Sequence, residues 1–363
     1  MLKSIKYSAA VAAVALLLGG TVSASAASFT TASKTEQKDQ TEKVFTYAKN
    51  DLLKKNQDLA KDMDSGKTSK AKLFDKKAYP GVGASDGYQD LLVGLKRQGY
   101  KFTDHDKQLV KENLIVSKKS TPKQLANAII GLQAVGFNPK AYKTNGEKLN
   151  LVKMLYQNKK VLNKKTTTNE QAQVLVALKS NKKFKAPKKA KFTVKKLSNK
   201  LAKKQIKVTN HKSKNYKNDG GWAYNDDAAS VDADTTAMTL NALEMSKSKN
   251  KTVKKAITKG RHYLKVNVNK DGGFGMDGKS NANSNAEVIT ALSMNKKAFK
   301  KINQVKLNDK QENPTLKNTL SFVKEDGSIK DAYDQTMGVG QVLVALSAYH
   351  NGKYANNGVY QFK

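Results

Sequence analysis

Five carboxylates crowd into 16 residues of an otherwise very basic chain: Asp219, Asp226, Asp227, Asp232 and Asp234. The only tryptophan, Trp222, and Tyr224 stand among them. These residue types offer three chemistries. Carboxylates beside an aromatic suit a sugar or a cationic group. Several together offer oxygens to a divalent ion, of which Ca²⁺ takes about six to eight. A carboxyl held in apolar surroundings keeps its proton and can act as a general acid. A plainer job competes with all three. Asp232, Asp234, Thr235 and Thr236 sit where an apolar-faced helix begins, and there Asp and Thr cap free amides and suit the helix dipole. Capping, ligand contact and a simply solvated acidic loop stand side by side on the sequence alone.

The stretch is one copy of a repeat, which sets the frame for everything else. Asp219–Leu243 starts Asp-Gly-Gly-Trp and runs into a helix; Asp271–Leu292 starts Asp-Gly-Gly-Phe and Asp326–Leu346 starts Asp-Gly-Ser-Ile. Corresponding loop–helix junctions define a candidate ligand rim of Trp222, Tyr224, Asp232, Asp234, Thr235, Phe274, Asn285 and Gln335.

The helices that must carry this rim share an ending, a small residue followed by leucine. It occurs at Gly94-Leu95, Gly131-Leu132, Ala177-Leu178, Ala242-Leu243, Ala291-Leu292 and Ala345-Leu346. The small residue admits a close neighbour and the leucine fills the gap. These segments are poor in charge across their middles, as buried helices are. Between them lie segments with one apolar stripe and a lysine-rich back: Glu42–Met63, Asp104–Ile115, Glu147–Tyr156, Thr193–Lys204, Thr252–Leu264 and Thr315–Val323. Strand signals are scarce. The pattern predicts an all-α fold, an α/α toroid of about six inner and six outer helices, as one domain over 41–363 with repeats clearest in 86–350.

Residues 1–26 read as a secretory signal peptide: Lys3 and Lys6, an apolar run, then Ala24-Ser25-Ala26 as the cleavage site. The run is too short to span a bilayer. Residues 27–40 read as a polar tether. Cysteine is absent, so packing must stabilise the fold without disulfides, and thiolate nucleophiles and Cys-containing zinc sites are excluded. The four histidines, His105, His211, His262 and His350, show no ligand-pair spacing. No nucleophile elbow appears. The net charge is +37, of which Lys3 and Lys6 belong to the leader, and Arg97 and Arg261 are the only arginines. Lysine is a hydrated point charge, whereas base-specific recognition recruits the arginine fork. The coat therefore predicts retention at the cell wall or surface by attraction to anionic polymers, without specific nucleic-acid recognition. A solvated surface shaped by composition alone is the other reading.

Lys259-Gly260, Tyr263-Leu264, Asn267 and Asp271-Gly272-Gly273-Phe274-Gly275 together resemble the repeat of the terpenoid-cyclase and protein-prenyltransferase superfamily, including bacterial prenyltransferase/squalene-oxidase-repeat proteins. In that repeat a basic residue with glycine, an aromatic, a glutamine (here Asn267) and a Gly-x-Trp or Gly-x-Phe turn join an outer helix to an inner one. Gly221-Trp222, with Leu201 and Gln205 before it, is the better-formed turn. Leu125–Pro139, Leu149–Leu155 and Asp232–Leu243 are similar to the helical domain of cobalamin carriers of the intrinsic-factor type. The resemblance implies an α/α toroid over about 86–350. Asp232-Ala233-Asp234-Thr235 is similar to the Asp-x-Asp-Asp motif of class II terpene cyclases, with Asp234 at the position of the general acid and Thr235 replacing the last aspartate. The zinc of prenyl transfer is not expected without cysteine. Cobalamin is possible by resemblance, yet the chain stops shortly after the last inner helix, with little room for the small β domain that closes the carriers' site. The chain is accordingly expected to be an exported, envelope-associated, non-catalytic binding protein that takes a small molecule or glycan at the rim. The alternatives are a cyclase-like enzyme using Asp234 and Asp232, and a wall-association module acting through its lysines.

Overall fold

The computed structural model describes residues 32–53, 88–113, 116–144, 146–295, 305–307, 310–312, 314–332, 334–350 and 357–362. Residues 1–26, read as a leader, and the glycine-rich loop ending at Gly87 lie outside the described residues, as does the expected Glu42–Met63 helix beyond residue 53. The chain is mostly helical. Twelve α-helices occur among the described residues: α1 Lys34–Tyr47, α2 Tyr88–Arg97, α3 Asp104–Asn113, α4 Pro122–Val135, α5 Leu151–Gln157, α6 Thr168–Lys179, α7 Val194–Lys203, α8 Ala233–Ser246, α9 Lys251–Val266, α10 Ala282–Leu292, α11 Pro314–Leu320 and α12 Gln335–His350. None is long and apolar enough to cross a membrane.

Local sequence explains where these helices start and stop. Before α4, Thr121 and Gln124 form a capping box with Pro122 at the first helical position, and Gly136 ends the helix at φ 95°. Thr167, Asp232 and Asn281 cap α6, α8 and α10 by accepting from the backbone N–H three residues on. Asp334 Oδ1 does the same for Met337 in α12.

Every second helix is buried. In α4 the apolar side chains from Leu125 to Val135 are all buried, and in α12 those from Val339 to Leu346. Each of these buried helices packs against the next: α2 on α4, α4 on α6, α6 on α8, α8 on α10 and α10 on α12. Helix α12 then returns to pack on α2. Glycine makes that last contact close, Gly94 from the small-residue–leucine pattern and Gly340 from outside it. A Cβ on Gly340 would lie 2.5 Å from the Leu91 amide nitrogen, and one on Gly94 would lie 2.6 Å from Leu343 Cβ. The intervening helices show one buried stripe each. In α7, Leu197, Leu201 and Ala202 face inward while Lys195, Lys196 and Lys203 are exposed.

The observed elements depart from expectation in three places. Residues 34–40, read as tether, form the first half of α1, because Ser33 caps it and Val44 buries its far end. The chain then widens into a π-helix over Ala48–Leu53. Glu147–Leu149 is a strand rather than the start of a helix; it pairs with Tyr142–Thr144, and Asn150 caps α5 one residue later. Short two-stranded ladders also occur at Trp222–Ala223 with Val231–Asp232, at Gly275–Met276 with Lys279–Ser280, and at Val305–Leu307 with Lys310–Glu312. With two or three residues a strand, they are too short to show period-two alternation.

Candidate functional site

The first repeat loop is clamped from both sides. Trp222 is fully buried, its indole Nε1 donating to Leu201 O at the end of α7 (2.8 Å) and its amide donating to Thr236 Oγ1 in α8 (2.9 Å). Gly260 of α9 lies under the indole, so that a Cβ there would come within 2.5 Å of Cζ3. Gln205 Nε2 donates to both Gly220 O (2.8 Å) and Ala256 O (2.7 Å), and Lys259 Nζ pairs with Asp219 Oδ2 at 3.0 Å. The other copies are built alike. Phe274 is buried and its amide donates to Asn285 Oδ1 (2.6 Å); Asn285 in turn donates to Asn318 Oδ1 (2.7 Å). Ile329 and Gln335 exchange two bonds, Ile329 N to Oε1 (2.8 Å) and Nε2 to Ile329 O (2.7 Å).

These contacts revise the expected rim residue by residue. Trp222 and Phe274 are buried plugs, and Asn285 and Gln335 fasten the loops that carry the plugs. Thr235 is 1% exposed. Asp232 caps α8, accepting from Thr235 N at 2.6 Å. Tyr224 is 54% exposed and is the one aromatic of the set that faces solvent. The acidic cluster disperses in the same way: Asp219 pairs with Lys259, Asp226 with Lys204 Nζ (3.0 Å), and Asp227 caps a one-turn 3₁₀ helix. Asp226 and Asp227 are nevertheless exposed, so this part of the cluster is the solvated acidic loop of the plainer reading.

Asp234 is different. Its Oδ1 is cut off from solvent with no hydrogen-bond partner in the structure, although the residue as a whole is partly exposed. Burial raises its pKa to about 6, against the opposing hydrogen bond from Ser284 and helped by the nearby charge of Asp232. Burial also raises Asp232, with the Thr235 amide opposing. Deeper in, Glu287 of α10 is pushed well above the carboxylate range by burial and by Asp90 and Asp234. Gln341 Nε2 of α12 donates to Glu287 Oε1 (2.9 Å) and Tyr360 OH donates to Asp90 Oδ1 (2.8 Å). Carboxyl groups from α2, α8 and α10 thus converge in the interior. Sequence reading missed Asp90, Glu287 and Tyr360; a lone acid inside the apolar run of α10 was the available signal. Among the described residues no group of His, Asp and Glu gathers in a metal-binding arrangement.

Beside the Trp222 loop, on the outside, lies an open groove of about 790 Å³ lined by Leu162, Lys164, Lys196, Asn199, Lys200, Lys203, Lys204 and Asp226. Lys196, Lys200, Lys203 and Lys204 come from one face of α7 and its cap, at helical spacing; Lys164 comes from the loop before α6. Lys204 is nearly buried and held by Asp226 and Thr168, whereas Lys164, Lys196 and Lys203 are exposed. The loop that supplies Asp226 also presents Tyr224, whose carbonyl accepts from Thr168 N (3.1 Å). Five lysines and one carboxylate line it, so its local charge is positive. No protein-family model matches the chain, and no curated protein matches it.

Proposed function

We propose that the chain is an exported, non-catalytic binding protein built as an α/α toroid, which holds anionic envelope polymer in the lysine groove between α7 and the loop before α6. The toroid reading is supported by the unbroken cycle of packing from α2 through α12 and back. The functional reading is carried by the groove itself: five lysines from two segments line one concavity, and the nearest acid, Asp226, is taken up by Lys204. Lysine ammonium groups would neutralise a phosphodiester or polyphosphate chain one charge at a time and release its counterions. Tyr224, exposed on the loop that supplies Asp226, would offer its ring to a sugar or glycerol unit. Retention at the cell surface follows from the same electrostatics, and export from the leader.

The test compares two triple variants of equal charge loss. One removes Lys196, Lys200 and Lys203 from the groove; the other removes Lys251, Lys254 and Lys255, exposed on α9. Binding to inorganic polyphosphate is followed by anisotropy over a salt series. The groove variant should lower the slope of log K against log salt by about 2, at roughly 0.7 per lost contact, and the α9 variant by much less. Equal losses would mean a diffuse coat and no groove. A second reading, acid catalysis, is favoured by Asp234 holding its proton to about pH 6. It requires a substrate cavity above that carboxyl, and Asp234→Asn would abolish turnover while leaving the groove's binding unchanged.

A further inference from the structure

The large apolar side chains exposed among the described residues are Tyr216, Tyr224, Val266, Val268 and Met276. All lie on the α7–α8 and α9–α10 connections or on the last residue of α9. Those two connections reach the same end of the molecule, because the first turns of α8 and α10 are side by side, Ser284 hydrogen-bonding to Asp234. Tyr224 belongs to the loop at the groove, and the other four share a second surface. Local bonding makes two segments there stand out from the body. Ile206 N donates to Gly221 O and Gly220 N to Ile206 O, each at 2.9 Å, so residues 207–219 leave and return at one place. They carry Tyr216 on a 3₁₀ turn. In the second segment Gly275–Met276 pairs with Lys279–Ser280, and Asp277 and Gly278 turn the chain at φ 51° and 74°, as a two-residue hairpin requires. Met276, beside that tip, is 72% exposed. Asn267 Nδ2 donates to Lys217 O (2.8 Å) and Asn269 Nδ2 to Ser280 Oγ (2.9 Å). The two segments are thus tied into one surface, with Val266 and Val268 flanking Asn267 at the join.

Lysines stand between these apolar side chains. Lys214, Lys217, Lys265, Lys270 and Lys279 are exposed in the same segments, against the exposed acids Asp271 and Asp277. Asp271 Oδ1 already accepts from Ser280 Oγ (2.7 Å) and Gly273 N (3.0 Å). A soluble polyanion has no use for valine and methionine held in water. A protein partner needs its apolar contacts gathered in one packed patch, whereas here each stands apart among charges. An anionic lipid surface suits the arrangement. Its phosphates attract the lysines, and separate apolar tips can each pass into the boundary between headgroups and acyl chains. Tyrosine settles at headgroup level. We infer that this end of the molecule is a docking surface for an anionic lipid bilayer, which Tyr216, Val266, Val268 and Met276 enter while the surrounding lysines pair with lipid phosphates. The attachment is peripheral, since no helix among the described residues can cross a membrane. The lysine groove shares none of these residues, and neither reading depends on the other.

The chain has no cysteine, so Met276→Cys gives a single attachment point for an environment-sensitive fluorophore. Vesicles of mixed phosphatidylglycerol and phosphatidylcholine should shift its emission to the blue, and vesicles of phosphatidylcholine alone should shift it far less. The same label on Lys254→Cys, on the exposed face of α9, should stay in water. Replacing Val266, Val268 and Met276 together by serine keeps every charge and should lower partition onto the anionic vesicles about tenfold or more. These side chains are exposed, so the thermal midpoint should not move, and polyphosphate binding should be unchanged. Loss of Lys196, Lys200 and Lys203 from the groove should leave the blue shift in place. If the chain sediments with anionic vesicles while the label on residue 276 stays in water, the lysine coat alone is responsible and the inference is overturned. Equal partition of the serine variant would overturn it as well. So would a blue shift that grows with protein concentration in the absence of vesicles, because a second copy of the chain would then cover this surface.

Discussion

At the scale of single residues, the interior carboxyls decide how the protein responds to pH. Asp234 titrates near 6 in the native chain against 3.8 for an ordinary aspartate. The folded state therefore holds a proton that the unfolded state has already lost. Stability is greatest below about pH 4 as far as this group is concerned, and falls as pH rises through 6, by on the order of 3 kcal/mol. Glu287 is raised too, so its contribution has the same sign. Asp234→Asn should flatten the fall, measured by urea unfolding at pH 4 and pH 7; an unchanged slope would mean that Asp234 ionises freely. Trp222 makes the opposite kind of statement. Its replacement by alanine empties a fully buried site and removes the indole bond to the Leu201 carbonyl, which should cost roughly 3–5 kcal/mol in thermal unfolding. Residue types alone marked Trp222, Phe274 and the aspartates as important. They could not tell a buried plug from a ligand contact, because the covering atoms of Trp222 belong to α7, α8 and α9. Asp90 and Tyr360 are 270 positions apart, and no local pattern connects them.

Elements were more legible than sites. The six buried helices follow from apolar content and from the small-residue–leucine ending, both local properties. The lysine face of α7 is legible too, since Lys196, Lys200 and Lys203 recur at helical spacing. Its partner Lys164 is not, because a groove needs two segments and periodicity describes only one. The early start of α1 was hidden by its polarity: its first ten residues are all charged or polar, and its anchoring contacts are long range. Lys317 pairs with Glu36, and Lys43 with Glu325 at 2.8 Å. The α2–α12 contact offers the sharpest test at this scale. Gly340→Ala pushes a methyl into the Leu91 backbone, which has no rotamer to change, so it should cost about 1–3 kcal/mol or more. Gly99→Ala, at an open surface turn, removes no such contact; its positive φ of 96° alone should make it the milder of the two. Thermal midpoints of the two variants check the ranking.

For the molecule as a whole, the net charge of +37 acts against compactness as well as toward polyanions. Few ion pairs among the described residues are shielded, Arg261–Glu244 at 2.7 Å being the clearest. Most lysines repel one another across solvent, and salt screens that repulsion. The melting temperature should therefore rise between about 0.02 and 0.5 M NaCl, and rise again with polyphosphate at low salt. A melting temperature that falls with salt would point to a stability resting on attractive pairs.

The return of α12 to α2 has a consequence for how the chain reaches its native state. Gln98 Nε2 meets Ser347 Oγ at 2.8 Å, across 249 positions. None of the contacts between α2 and α12 can form until nearly the whole chain is available, and the entropy of closing so large a loop falls on that one step. Each earlier helix can pair with its neighbour, but the first and last remain with an uncovered apolar face until they meet. A nascent copy inside the cell is thus a row of helices with two sticky ends, kept from settling by its own incompleteness. On the proposed reading of residues 1–26 as an export leader, that delay keeps the chain threadable.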